Sequence, residues 1–347
     1  GTLPALVRGV TTARRSAVVV GGGYVGTYTS YLLATEGYSV VCLERSDELA
    51  TEMSYLNGGV LCPGLTWPWS NPSAFGLMAK ALLPFGSGPP SVAVTPSALA
   101  QPHLWRWAAN FVLEALNPSR VAANFKASHL LAAYSLRCMG AAHESGLVPP
   151  GAYRRTAVGS LQLYRTTKLR DSVASLINEH IGHLGCRAQV LDYASCVERE
   201  PVLGDIGNSE GGTGENGDDG GDKEAGALAG GVLLESDSSG CIRQYTFALR
   251  DAAEALGVEF RCGSPVRGLE LPTDGTGGSG GGGEGGGSGE QGSVAAVRLE
   301  SGELMHADAV VVAAGNGAER LACDVGDRLM TYPIKGYGQF GPAPATS

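Results

Sequence analysis

The sequence predicts an α/β fold built on an open parallel sheet, and three stretches carry that prediction. The first is Ala17-Val18-Val19-Val20, an apolar run that enters Gly21-Gly22-Gly23-Tyr24-Val25-Gly26. The second is Tyr38-Ser39-Val40-Val41-Cys42-Leu43-Glu44, reached after a helical stretch that closes on Gly37. The third is Ala309-Val310-Val311-Val312-Ala313-Ala314-Gly315, which again ends in a glycine turn. Apolar runs without polar alternation suit strands buried on both faces, as parallel strands are when helices cover the sheet.

The glycines after the first run carry the chemistry. Gly21, Gly23 and Gly26 fill the G-x-G-x-x-G spacing. The first glycine allows a sharp turn, the second lets a pyrophosphate approach the backbone, and the third lets the following helix pack close to the strand. That helix, over Tyr28 to Glu36, takes an apolar face from Val25, Leu32 and Leu33, and Gly37 stands where a helix C-terminal glycine belongs. Its N-terminus offers unpaired N–H groups and a positive dipole end to an anion. Glu44 follows Gly26 by 18 residues and ends the second strand, placed to accept hydrogen bonds from a ribose. The stretch reads as a dinucleotide site.

Composition bounds the rest. A chain of 347 residues with 43% hydrophobic content suits one large domain or two interleaved ones. A net charge of −9, with no block of basic residues, argues against a nucleic-acid or anionic-membrane partner. No apolar run reaches the roughly 18 residues of a membrane span. The eight cysteines are scattered without a C-x-x-C pair, which reads as reduced thiols and no metal site. Residues 1–16 carry Arg8, Arg14 and Arg15 and no acid, a composition shared by organelle transit peptides and ordinary disordered leaders.

The remaining elements follow in order. Ser54 to Gly64 is rich in small residues, as suits backbone lying against a ligand or a plain loop. Leu77 to Leu83 reads as a short helix. Leu104 to Glu144 is helical, with Ala127, Leu130, Leu131, Tyr134, Cys138 and Ala141 as the expected buried stripe. Leu161 to Tyr164 alternates like a strand, and Val173 to Leu184 forms another apolar helical stripe, on which His180 is expected to pack. Gly207–Gly226 and Asp274–Gly292 are glycine- and acid-rich inserts expected to be disordered. Strands are expected over Gly231–Glu235, Val258–Arg261 and Val266–Leu271, a helix over Tyr245–Leu256, and a hairpin across Ser301-Gly302. No Ser-His-Asp, paired-carboxylate or metal constellation emerges.

In this order the pieces resemble the flavin-dependent amino-acid oxidoreductases of the D-amino-acid oxidase and glycine oxidase superfamily, and most of all the small subunit of bacterial D-amino-acid dehydrogenases. The resemblance rests on Val18–Gly26, Glu44-Arg45, Ser54–Gly64, Leu130–Cys138, Gly159–Thr166, Ser239-Gly240-Cys241, Val266, Ala313-Ala314-Gly315 and Tyr332–Tyr337. It implies an FAD-binding Rossmann-like domain of glutathione-reductase type (17–66 plus 231–330) interleaved with an α+β substrate domain (67–230 plus 331–347). It implies FAD on Gly21, Gly22, Gly23, Tyr24, Val25 and Gly26, with Ser30 where the helix crosses the strand. Glu44 and Arg45 would hold the adenosine ribose, Ser54, Asn57, Gly58 and Gly59 the flavin side, Val266 the adenine edge, and Ala314 and Gly315 the pyrophosphate. Lys335 and Tyr337 are substrate-pocket candidates.

The implied reaction is oxidative deamination of D-amino acids, with electrons passed to an acceptor other than oxygen, such as a quinone or respiratory carrier. A glycine or sarcosine oxidase and a catalytically incomplete flavin-binding fragment are the alternatives. In the family the chain continues past the Lys-Gly-Tyr segment into a second glycine-rich flavin loop, and the substrate-carboxylate arginine and catalytic tyrosine of some oxidases lie there; this sequence ends at Ser347.

Overall fold

The structure, a computed structural model, describes residues 14–55, 57–72, 74–75, 95–149, 151–156, 159–204, 228–271 and 295–333. The expected helix over 77–83, both inserts, and Lys335 and Tyr337 lie outside these residues. Among the described residues the strands, in chain order, are β1 (Ser16–Val20), β2 (Ser39–Leu43), β3 (Val60–Leu61), β4 (Ser160–Tyr164), β5 (Ala188–Leu191), β6 (Gly230–Leu234), β7 (Ser238–Ser239), β8 (Glu259–Arg261), β9 (Val266–Glu270), β10 (Ala295–Leu299), β11 (Leu304–Ala307) and β12 (Ala309–Val312). The chain forms two compact units: Gly1–Asn57, Leu147–Tyr153 and Ile242–Ser347 make the first, and Gly58–Gly146 with Arg154–Cys241 the second.

The first unit is the parallel sheet that the three apolar runs predict. Its order is β12-β1-β2-β8, all parallel, with Val18 opposite both Val310 and Val41. Side chains alternate across a strand, so β1 feeds two cores. Val18 and Val20 point into one core with Leu43, Val297, Leu299 and Leu321, against the antiparallel β11-β10-β9 sheet. Ala17 and Val19 point into the other, with Val40, Cys42, Ala253 and Val258, beneath α1 (Tyr24–Thr35) and the Ile242–Ala255 helix. A polar residue anywhere in this run would be buried on one face or the other. The expected hairpin is present: β10 and β11 pair antiparallel around Gly302, whose φ is +92°.

Helix α1 corrects one expectation. Val25 and Leu32 are exposed, and the face against the sheet is Gly26, Thr27 and Ser30, with Leu33 and Ala34 partly buried. Close helix–strand packing leaves room for small side chains there, which hydrophobicity alone does not reveal.

The second unit contains the antiparallel sheet β4-β6-β5 and the short β3-β7 pair. The sequence reading placed residues 231–235 in the FAD-binding domain; β6 instead runs through the centre of this second sheet, buried along its whole length between β4 and β5. A fully buried apolar run reads alike in parallel and antiparallel centres. Its core joins Val232 and Leu234 to Phe125, Ala174, Ile177 and Ile181. His180 packs there as expected, edge-on to Trp67 at 5.8 Å, with its Nδ1 3.0 Å from the Leu176 carbonyl.

The long Pro118–Glu144 helix reverses the other expectation. Val121, Phe125, His129, Met139 and Ala142 form its buried side, while Leu130, Leu131 and Tyr134 are exposed. The buried stripe contains His129, whose Nδ1 lies 2.7 Å from the Pro63 carbonyl oxygen. A polar residue that finds a partner in the core breaks the apolar pattern from which a buried face is read.

Candidate functional site

The C-terminal ends of β1, β2 and β12 open into a cavity of about 860 Å³ within the first unit. Val20, Leu43 and Val312 end the three strands at its floor. Crevices of this kind, outside the carboxyl ends of parallel strands, are where open α/β sheets bind ligands.

The glycine loop forms one side. Gly21 has a φ of +112°, and a Cβ there would lie 2.5 Å from the Ala313 carbonyl oxygen. A Cβ at Gly26 would lie 1.8 Å from the Gly21 carbonyl oxygen. The protein's own packing therefore requires these two glycines. Gly23 differs. It has an ordinary extended φ of −76°, and the nearest neighbour of an added Cβ is Ser54 Oγ at 3.3 Å. Gly23 lines the cavity, so the space its missing side chain leaves is open to a ligand. Beyond it the Tyr24 N–H, in the first turn of α1, donates to Ser54 Oγ at 3.0 Å.

Glu44 is buried at the end of β2 and lines the cavity. Its Oε2 accepts from the Gly22 N–H at 2.7 Å and its Oε1 from the Ser46 N–H at 2.9 Å. Two backbone donors fix the carboxylate across the mouth of the glycine loop. Each oxygen retains a lone pair for a further donor, such as a ribose hydroxyl. On the far side Arg320 donates through Nη2 to the Val266 carbonyl at 2.6 Å and through Nη1 to that of Arg267, tying the Ala318–Asp324 helix to β9.

Of the residues singled out from sequence, Gly21, Gly23, Tyr24, Val25, Glu44, Arg45, Ser54, Val266, Ala314 and Gly315 meet around this one cavity. Gly22 is buried behind the wall, where an added Cβ would lie 2.4 Å from Leu49 Cδ2, and Gly26 is buried in the first turn of α1, on its sheet-facing side. Asn57 is exposed away from the cavity lining, its Nδ2 3.5 Å from the Met53 carbonyl. Gly58 and Gly59 belong to the second unit, where the Gly59 carbonyl accepts from the Gly240 N–H at 2.8 Å.

Sequence reasoning missed Thr51, Glu52 and Met53 on one wall, Ser264, Pro265 and Glu300 on another, and Asn316, Gly317 and Arg320 at the end of β12. Gly315-Asn316-Gly317 was readable as a glycine turn continuing past a buried strand. The others come from loops and a helix far apart in the chain and share no local pattern.

The donor set suits a dinucleotide: a buried carboxylate for ribose hydroxyls, a helix N-terminus behind glycine for a pyrophosphate, and the apolar edges of Pro265 and Val266 for a flat base. No group of three or more His, Cys, Asp or Glu side chains among the described residues could hold a metal ion.

Comparison with known proteins agrees with this geometry. Residues 16–344 match the DAO family, described as FAD dependent oxidoreductase. The chain is 32% identical over 321 residues to a D-amino acid dehydrogenase of Phenylobacterium zucineum (strain HLK1), covering 92% of this chain and 64% of that protein. It is 30% identical over 325 residues to a D-amino acid dehydrogenase of Xanthobacter autotrophicus (strain ATCC BAA-1158 / Py2), covering 92% of this chain and 65% of the relative. The chain thus spans a little under two thirds of the length of these curated relatives. Among solved structures, glycine oxidase from Geobacillus kaustophilus superposes with a TM-score of 0.49 at 18% identity, covering 91% of this chain and 59% of that one. The chain belongs to the DAO family of FAD dependent oxidoreductases, and its cofactor is FAD.

Proposed function

We propose that this chain carries the FAD-binding part of a dehydrogenase that deaminates D-amino acids oxidatively and passes the electrons to an acceptor other than oxygen, such as a quinone or respiratory carrier. The observation that carries the proposal is the cavity at the ends of β1, β2 and β12, in a chain about 30% identical over 92% of its length to D-amino acid dehydrogenases. FAD supplies, when bound, the two-electron acceptor for a hydride from the amine Cα, and hydrolysis of the resulting imine releases ammonia.

The chain's own groups bind and orient. Gly21, Gly23 and Gly26 bring the backbone and the α1 N-terminus up to the pyrophosphate, with Ala314 and Gly315 on its other side. Glu44, already held by two backbone N–H groups, accepts from the ribose, and Arg45 lies beside it. Val266 meets the adenine edge. Ser54 extends the polar wall of the cavity. Lys335 and Tyr337 are proposed for the substrate pocket.

Spectroscopy of the purified protein tests this reading. Bound flavin is expected by absorbance, and D-alanine is expected to bleach it under anaerobic conditions while sarcosine and L-alanine leave it oxidised. Bleaching by sarcosine or glycine, with hydrogen peroxide released in air, would instead establish an amine oxidase. A colourless protein that takes up no added FAD would sink both enzyme readings.

A further inference from the structure

Arg243, the second residue of the Ile242–Ala255 helix, does not line the cofactor cavity, yet it grips the segment that forms one of the cavity walls from both ends. Thr51, Glu52, Met53 and Ser54 make that wall. Three residues before it, Glu48 accepts through Oε2 from Arg243 Nη2 at 2.6 Å. Immediately after it, the Tyr55 ring lies beneath the same guanidinium, its centroid 4.5 Å from Arg243 Cζ. The Phe247 ring, one turn along the helix, lies 5.1 Å from Cζ and backs the group. A planar guanidinium can form an ion pair at its edge and stack on its faces at the same time, whereas an ammonium cannot.

The wall needs such a hold. It belongs to neither a helix nor a strand, and Ala50, which leads into it, sits at a φ of +56°, a left-handed conformation costly for a residue with a Cβ. Strain of this kind persists only where surrounding contacts over-determine it. At its two ends two bonds do so: the Ala50 N–H donates to the Gly22 carbonyl at 3.0 Å, and Ser54 Oγ accepts from Tyr24 N–H. Both anchors are on the glycine loop itself. Arg243 supplies the hold from outside the loop, on a helix that packs over α1, where Tyr245 meets the Tyr24 ring edge-on at 5.8 Å.

We propose that Arg243 is a positioning residue for the cofactor: by clamping Glu48 and Tyr55 it holds wall 51–54, and with it Ser54, in the geometry that receives FAD. The proposal rests on the FAD reading of the cavity. It predicts a residue that touches no cofactor atom but sets cofactor affinity.

The test is hydrogen exchange and FAD titration of the whole chain as wild type, Arg243→Met and Arg243→Lys. Arg243→Met keeps an apolar stem against Tyr55 and Phe247 but loses the charge. It is expected to speed amide exchange in peptides spanning 48–55 while β1 exchanges as before, and to weaken FAD binding about threefold to fivefold, the scale of a partly exposed cation–π contact with an ion pair. Arg243→Lys, which can still reach Glu48, is expected to recover part of both losses. Unchanged exchange and unchanged affinity in Arg243→Met overturn the proposal. So does faster exchange with undiminished FAD binding, since the clamp then serves the fold alone, and so does acceleration spread equally over β1. A wild-type chain that binds no FAD brings down the cofactor reading and this inference together; a wild type that binds, beside an Arg243→Met that binds equally, brings down the clamp alone.

Discussion

A methyl group added at Gly26 would lie 1.8 Å from the Gly21 carbonyl oxygen, and both atoms belong to backbone that cannot swing aside. Gly26→Ala is therefore expected to push α1 off the sheet, at a cost of roughly 3 kcal/mol in chemical denaturation, and to lose FAD as a consequence. Gly23→Ala separates the two roles. Its backbone is extended and its added Cβ meets nothing nearer than Ser54 Oγ at 3.3 Å, so the cofactor-free protein should lose less than about 1 kcal/mol. The methyl would project into the cavity, and FAD affinity should fall at least about tenfold while α1 stays in place. Equal FAD affinity in Gly23→Ala and wild type, measured by flavin fluorescence quenching, would show that the pyrophosphate does not pass over this backbone. These glycine roles were legible in the sequence because each is a property of one residue at a fixed spacing. Glu44 was legible as an acid at a strand end, but its grip on the Gly22 and Ser46 amides was not, since nothing in the sequence says where a carboxylate folds back.

Strand β2 shows how burial from both faces of the sheet acts on a single group. Cys42 is fully buried between β1 and β8, with its Sγ 3.7 Å from the Gly21 carbonyl, and burial, with a smaller contribution from Glu44, pushes its thiol up to about 12 from 9.0. The unfolded thiol ionises first, so between these two values the unfolded chain releases a proton that the native chain keeps. The stability tied to Cys42 is complete below pH 9 and is lost as pH rises toward 12, by about 1.4 kcal/mol per pH unit. Denaturation across that range should show a shallower fall in Cys42→Ala than in wild type. In the native state at pH 8 the thiol reagent DTNB should label exposed Cys262 and Cys323 and spare Cys42. Element type was legible wherever period and length agreed, as in β1, β2, β12 and the β10-β11 hairpin. What periodicity did not decide was which face a helix buries. In the Pro118–Glu144 helix the apolar stripe at Leu130, Leu131 and Tyr134 is exposed, and a stripe containing His129 is buried. Long helices carry several apolar stripes at the same period, and tertiary packing chooses among them.

At the scale of the molecule the chain leaves the first unit after Asn57, returns for Leu147–Tyr153, and rejoins it at Ile242. Length left one large domain or two interleaved ones open, and the family resemblance implied the interleaved pair. The sequence did not announce the crossing points, because β6 is as continuously apolar as a parallel strand. Every residue lining the cavity falls in the first unit, from strands as far apart in the chain as β1 (Ser16–Val20) and β12 (Ala309–Val312). That concentration gives the FAD assignment a spatial signature. A ligand that binds only the folded first unit adds RT ln(1 + [L]/Kd) to its opening free energy, about 2.7 kcal/mol at a hundred times Kd. Amides of β1, β2 and β12, the strands that end at the cavity, should therefore exchange about a hundredfold more slowly once FAD is at a hundred times Kd. ADP, which carries the pyrophosphate and ribose but no flavin, should slow the same strands, because the glycine loop, Glu44 and Val266 are proposed to hold that half of the cofactor. Protection of β1 by FAD but not by ADP at equal saturation would move the main cofactor contacts away from the glycine loop and contradict the cradle described here. Protection that misses β1 with both ligands would remove the cavity as the cofactor site.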